Sequence, residues 1–188
     1  MKDSDCLLIV DLQNDFCPGG ALAVAGGDEI VKPINEMMKL FSQVAATQDW
    51  HPVDHCSFKT QGGHWPPHCI QFTPGAVLHP NLNDKGIAIR VRKGQFRDRD
   101  AYSGFQETEL DQKLKRCKVR RLFICGLAAD YCVKRTALDA LRLGYETVVL
   151  TNLVRAVDVR PGDGGRALEE MKKAGAVLAD SEDLKRGE

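Results

Sequence analysis

Six short apolar runs alternate along this chain with stretches of helical periodicity, and that alternation limits the fold more than any single residue does. The runs are CLLIV (6–10), QVAAT (43–47), IAIRVR (87–92), RLFICG (121–126), TVVLT (147–151) and AVLA (176–179). Each is too short for a helix and too apolar for a loop, which predicts strands buried on both faces. Between them, EIVKPINEMMKLF places Ile30, Ile34, Met37, Met38 and Phe41 on one helical face. ETELDQKLKRC and CVKRTALDALRLG follow, the latter with Val133, Ala137 and Leu141 at steps of four and Gly144 as its C-terminal stop; GRALEEMKKAG repeats the pattern with Leu168, Met171 and Gly175. Strands that alternate with helices predict right-handed crossovers and a parallel sheet covered on both faces. The expected fold is a three-layer, doubly wound α/β domain with a six-stranded parallel sheet, occupying residues 1–188 as one domain.

One segment breaks the rhythm. Residues 49–86 are rich in Pro, Gly, His and Asn without a clear period, and a loop of that length in a compact domain usually serves function.

Charge narrows the partners. Lysine plus arginine number 26 and aspartate plus glutamate 26, so no basic footprint points to nucleic acid or to an anionic membrane surface. No apolar run reaches bilayer length, and the first residues, MKDSDCLLIVDLQ, carry acidic groups where a signal peptide would be basic, so a cytoplasmic protein with a small-molecule partner is expected. Seven scattered cysteines read as thiols, each to be judged as nucleophile, ligand or core filler. Residue patterns leave the oligomeric state open, a homo-oligomer included.

Ligands of open α/β sheets bind beyond the carboxyl ends of the strands, near the switch in strand order. Asp11 follows the first predicted strand, Asp49 and His51 the second, Lys93 the third, and Cys132 comes shortly after the fourth. Alone, Asp11 reads as a turn residue, Lys93 as a solvated lysine and Cys132 as an inert buried thiol. Together at one sheet edge they suggest a Cys, Asp and Lys set for acyl transfer from an amide. At the start of a helix and near Lys93, Cys132 is expected to favour its thiolate, and Asp11 to take and return a proton.

The loop contains four of the five histidines, in DWHPVDHCSFKTQGGHWPPHC (49–69), with H-x3-H-C occurring twice. A closed zinc finger needs four ligands and paired cysteines at short spacing; Cys56 and Cys69 lie too far apart for that. Asp49-x-His51 plus a later histidine is a better-formed cluster, its carboxylate and imidazoles suited to Zn, Mn or Fe with positions left for water or substrate. Spacing does not fix which histidine completes it.

VDLQNDF (10–16), DWHPVDHCSF (49–58), WPPHCIQFTPGA (65–76), RKGQF (92–96), AYSGF (101–105) and GLAADYCV (126–133) stand in this order along the chain. In these motifs the sequence resembles the nicotinamidases, or pyrazinamidases, among the isochorismatase-like cysteine hydrolases. The resemblance covers nearly the whole chain. It implies a catalytic triad of Asp11, Lys93 and Cys132, and one divalent metal, zinc first and Mn or Fe as alternatives, on Asp49, His51 and His68. His55 matches a ligand of some relatives only and stays off the metal set, and His64 and His79 are read as bystanders. Phe16, Trp65 and Tyr102 would wall the ring pocket, and the N–H groups of Ala128 and Cys132 would form the oxyanion hole after a cis peptide at Leu127–Ala128. Ala129, where many relatives carry a hydroxyl, and Tyr131 are departures that bear on which ring substituents fit. The implied reaction takes nicotinamide to nicotinate and ammonia in NAD salvage, with pyrazinamide as a further substrate.

Two other readings compete. A metal-free hydrolase of the same fold acting on a carbamoyl compound or ureide would lack the Asp-x-His and WPPHC elements; a non-catalytic ligand-binding protein would lack Asp, Lys or Cys of the triad. All are present.

Overall fold

The computed structural model describes residues 1–186. Six strands form one parallel sheet: β1 (Asp5–Val10), β2 (Gln43–Asp49), β3 (Ile89–Lys93), β4 (Arg121–Leu127), β5 (Glu146–Arg155) and β6 (Val177–Ala179), in the order β3-β2-β1-β4-β5-β6. The helices are α1 (Val31–Met38), α2 (Leu110–Arg116), α3 (Lys134–Arg142), α4 (Asp163–Lys173) and α5 (Ser181–Arg186). The three-layer α/β architecture expected from the alternation is therefore the one found.

Side chains one residue apart on a strand point to opposite faces, and this splits the core in two. Leu7 and Ile9 of β1 join Phe123 and Cys125 of β4 against Ile34, Met37 and Met38 of α1, with Leu184 of α5 packed alongside. Cys6, Leu8 and Val10 face the other way, with Leu122 and Ile124, onto Leu110 and Leu114 of α2, Ala137 and Ala140 of α3 and Met171 of α4. Leu7, Leu8 and Ile9 are fully buried, each worth about 1.5–3 kcal/mol relative to exposure. A strand apolar on both faces needs helices on both sides, which is why the sequence alternates as it does.

Helix ends follow local chemistry. Gly144, at φ 88°, lets Tyr145 N–H reach the Ala140 carbonyl (3.0 Å) and its own N–H reach Leu141 (3.0 Å), the double bond that stops α3. Gly175 ends α4 in the same way, with Ala176 N–H on Met171 and its own on Lys172, both 3.0 Å.

Three departures from the sequence reading lie at the functional edge. β2 runs on to Asp49 and β3 to Lys93, so both residues are the last of their strands and stand opposite each other in register. β5 extends to Arg155, past a register shift against β4 between Ile124 and Gly126. Between β4 and α3 the chain makes a π-helical turn over Ala129–Val133, in which the Ala128 carbonyl accepts the N–H groups of Tyr131 (3.0 Å) and Val133 (3.1 Å).

The long segment between β2 and β3 has no regular α-helix or strand, only single 3-10 turns at 59–61, 74–76 and 84–86. It is nonetheless tied down. Gln13 and Gln48 both donate to the Ala76 carbonyl at 2.9 Å, and Asp15 accepts the Cys69 N–H at 2.7 Å.

Candidate active site

Strand order reverses between β1 and β4, and the site lies beyond the carboxyl ends there. Asp11 takes a left-handed turn immediately after β1 (φ 44°), a conformation that aspartate tolerates better than most residues. Its N–H reaches the Thr47 carbonyl (3.2 Å), and its Oδ1 accepts the Thr47 hydroxyl at 2.6 Å. Gln13 clamps the end of β2 by donating to the Asp49 carbonyl and accepting the Asp49 N–H, each at 2.8 Å.

Lys93 is the hub. Its ammonium lies 2.9 Å from Asp11 Oδ2, donates to Asp49 Oδ1, to the Ala101 carbonyl at 3.2 Å and to Cys132 Sγ at 3.3 Å, with the whole residue buried. Burial alone would depress this lysine, but the Asp11 and Asp49 carboxylates hold it well above its ordinary value, so it stays an ammonium. Burial likewise works to raise Asp49, yet Lys93 and His51 keep it far below the usual carboxylate range. Asp11 moves the other way: burial, with Asp49 nearby, raises it against the pull of Lys93. Its Oδ2, although beside the ammonium, has no hydrogen bond of good geometry, and a carboxylate oxygen of Asp11 lies within 4.8 Å of Cys132 Sγ. A buried acceptor with a spare lone pair next to a thiol is placed to take its proton.

Cys132 has a different setting from the helix start expected for it. It sits in the π-helical turn ahead of α3, not in the first turn of an α-helix, and burial pushes its thiol well above the ordinary cysteine value. Lys93 opposes that shift, while Asp11 and Asp49 add to it. A carboxylate of Asp11 stands within reach to take the thiol proton.

Asp49 offers Oδ1 to Lys93 and Oδ2 to His51 and His68, which converge on it from the other side. The ligand atoms of this aspartate and the two histidines all lie within 4.8 Å of one another, with His51 Nε2 at 3.4 Å and His68 Nε2 at 3.9 Å from Asp49 Oδ2. His51 Nδ1 is 2.9 Å from the Gly94 carbonyl and His68 Nδ1 is 2.8 Å from that of Pro66. A carbonyl only accepts, so both Nδ1 atoms carry the proton and both Nε2 lone pairs are directed at the cluster, the outer bonding that metal-bound imidazoles use. Gly94 is required here, because a Cβ on it would come within 2.4 Å of the His51 ring, and its φ is 62°. The charges point the same way: two buried carboxylates face one ammonium, and a divalent cation would offset the excess. These residues fit a divalent metal.

His55 is excluded from the cluster by its bonds. Its Nε2 faces the Arg99 carbonyl at 3.1 Å and must donate, which leaves Nδ1 to accept from the Ser57 hydroxyl at 2.8 Å. Both nitrogens are in use, and the ring packs against His51 with centroids 4.1 Å apart. Cys56 and Cys69 take no part in the metal group, and His64 is exposed.

A small cleft opens onto these groups. Phe16, Trp65, Tyr102, Ala128 and Cys132 line it, together with Asp49, His51 and His68. Trp65 Nε1 donates to the Tyr102 hydroxyl at 2.9 Å, and Tyr131 stands edge-on to Trp65 at 5.0 Å. The Leu127–Ala128 peptide is cis. Leu22, Ser57, Asp100 and Val157 line the cleft too, and no reading of the sequence singled them out, since none lies in a periodic element or a ligand-like spacing. Val157 is set by Asp130, whose two carboxylate oxygens accept the N–H groups of Val157 (3.0 Å) and Asp158 (2.9 Å).

The Isochorismatase domain model matches residues 5–183. Among curated proteins, the nicotinamidase of Escherichia coli (strain K12) is 44% identical over 92% of this chain and 92% of its own. Among solved structures, the pyrazinamidase of Pyrococcus horikoshii in complex with zinc is 44% identical with a TM-score of 0.88, covering 94% of this chain and 99% of that one. A protein of L. infantum in complex with nicotinate is 41% identical with a TM-score of 0.92, over 97% and 96% of the two chains. With a domain match over nearly its full length and such relatives over most of both chains, this chain belongs to the isochorismatase-like hydrolases, in their nicotinamidase/pyrazinamidase group.

Proposed function

We propose that the protein is a nicotinamidase: it hydrolyses nicotinamide to nicotinate and ammonia through a thioester on Cys132, and pyrazinamide by the same route. The observation that carries this is the convergence of the Lys93 ammonium on Asp11, Asp49 and Cys132, at the floor of an aromatic cleft that also exposes the Asp49, His51 and His68 cluster. The E. coli nicotinamidase and the P. horikoshii pyrazinamidase, alike over most of both chains, support the substrate class.

The substrate ring lies between Phe16 and the Trp65–Tyr102 pair, whose flat faces suit a pyridine. When bound, a divalent ion on Asp49, His51 and His68, zinc in the reading supported by the P. horikoshii relative, supplies Lewis acidity and open positions for the ring nitrogen. Asp11 takes the Cys132 proton as sulfur attacks the carboxamide carbon, and the adjacent Lys93 ammonium stabilises the sulfur as it becomes anionic. The N–H groups of Ala128 and Cys132 receive the developing oxyanion. Asp11 then passes its proton to the amide nitrogen, the C–N bond breaks, and ammonia leaves behind a thioester. In the second half Asp11 removes a proton from water, the resulting hydroxyl adds to the thioester carbon, and collapse breaks the C–S bond. The proton held by Asp11 returns to sulfur and the acid ionises to nicotinate.

Ammonia release from nicotinamide tests this directly. The metal-loaded protein should turn over, whereas Cys132→Ala and chelated protein should lose activity by about a thousandfold or more, with turnover returning when metal is restored to the chelated sample. No ammonia from the metal-loaded protein would overturn the substrate assignment.

A further inference from the structure

The cleft is lined by two aspartates, Asp49 and Asp100, and by no lysine or arginine among the described residues. That is unusual chemistry for a pocket that, on the amidase reading above, ends each turnover holding a carboxylate. The nearest ammonium, Lys93, is fully buried and already committed to Asp11 and Asp49. Asp11, Asp49 and Lys93 together carry one negative charge, and Asp100 adds a second at the cleft wall.

Asp100 has the geometry for this. Its Oδ1 accepts the Ala101 N–H at 2.9 Å, which ties the side chain to the segment leading to Tyr102, and no basic group pairs with it among the described residues. Its neighbours Asp98 and Arg99 are different: they form an exposed pair at 3.7 Å, and Arg99 also bridges to Glu107. Asp100 stands close enough to the Tyr102 phenol to add to the burial that pushes that group up to about 12. An unpaired carboxylate held at the wall of a small cleft acts on what passes through it, and a neutral amide is indifferent to it where an anion is not.

We infer that Asp100 is a specificity-determining residue that makes the cleft favour the neutral amide over the anionic acid, hastening departure of the product. The inference rests on the amidase reading, and it deepens that reading by assigning a task to a residue outside the triad and the metal cluster. The gain is in release and in freedom from product inhibition, with no bond-making step depending on Asp100.

Asp100→Asn is the decisive variant, because it keeps an oxygen for the Ala101 N–H and removes only the charge. Inhibition by nicotinate should tighten about three- to tenfold, as expected for the loss of one partly solvated charge contact, and by more than any change in KM for nicotinamide. Asp100→Ser, which also leaves an oxygen acceptor, should agree. Asp98→Asn, equal in charge change but on the exposed pair, should leave nicotinate inhibition unchanged. Unchanged inhibition in Asp100→Asn, or equal tightening in Asp98→Asn, would overturn the inference. A fall in kcat/KM without tighter nicotinate binding would overturn it too, showing a purely structural Asp100. The nicotinamidase assignment itself fails on a different result, namely no ammonia from the unmodified enzyme.

Discussion

At the scale of single residues, function in this site follows from which lone pairs are left over. Histidine is the clearest case. His51 and His68 spend Nδ1 on backbone carbonyls and keep Nε2 free, whereas His55 spends both nitrogens, on Arg99 and Ser57. His68→Ala should therefore lower metal content and metal affinity by about 10- to 100-fold, and His55→Ala should retain metal while losing packing against the His51 ring. Metal analysis of the purified variants checks this, and equal loss in both would make His55 a ligand. These choices were only half legible in the sequence. DWHP and WPPHC marked the right stretch, but spacing alone could not separate His68 from His55, because the distinction lies in bonds to Pro66 and Arg99 carbonyls. Cys132 was legible by its place after the fourth strand, while the burial and the two carboxylates that push its thiol up were not, because they come from contacts across the sheet edge.

Among elements, the strands bring the catalytic groups together and the turns after them orient them. Asp49 faces Lys93 because β2 and β3 pair in register to their last residues, and Asp11 meets Cys132 because β1 and β4 are neighbours. That much is encoded in apolar runs and is readable as such. The π-helical turn carries no such signature: Ala129, Tyr131 and Val133 suit an ordinary helix start equally well. Nor do the polar side chains that bond backbone across loops, such as Gln13 on Asp49 and Asp130 on Val157, show any period. Asp130 links the turn bearing the nucleophile to the segment after β5 that supplies one cleft wall. Asp130→Ala leaves two N–H groups without their acceptor. It should cost about 2–4 kcal/mol in urea unfolding and raise KM for nicotinamide more than it lowers kcat. An unchanged KM with unchanged stability would remove Asp130 from the account.

Over the whole molecule, one sheet with a helical layer on each face holds the site at its upper edge, and a half-buried ion pair anchors the opposite end of the strands. Asp5, 1% exposed, accepts from Arg121 Nε at 3.0 Å and Nη2 at 2.8 Å and from the Lys2 N–H at 2.7 Å. Burial would raise Asp5, but the Arg121 and Lys2 bonds prevail and hold it below its ordinary 3.8. A carboxyl depressed in the folded state contributes stability that is complete above its unfolded value and disappears as pH falls through the folded one. Asp5→Asn should thus be destabilised by about 1–3 kcal/mol at pH 7, with the gap to wild type closing below about pH 4. Denaturant melts across pH check this, and a gap that persists in acid would contradict it. The layered fold was legible from the strand and helix pattern; the route of residues 49–86 was not, because side-chain bonds such as Gln48 to Ala76 hold it without repeat. The account as a whole turns on a thioester at Cys132, which hydroxylamine can intercept. With hydroxylamine present, wild type should divert part of its product to nicotinohydroxamate while ammonia release continues undiminished, and Cys132→Ala should yield neither. Hydroxamate or ammonia formed by Cys132→Ala, or wild-type turnover that gives nicotinate alone, would contradict the account.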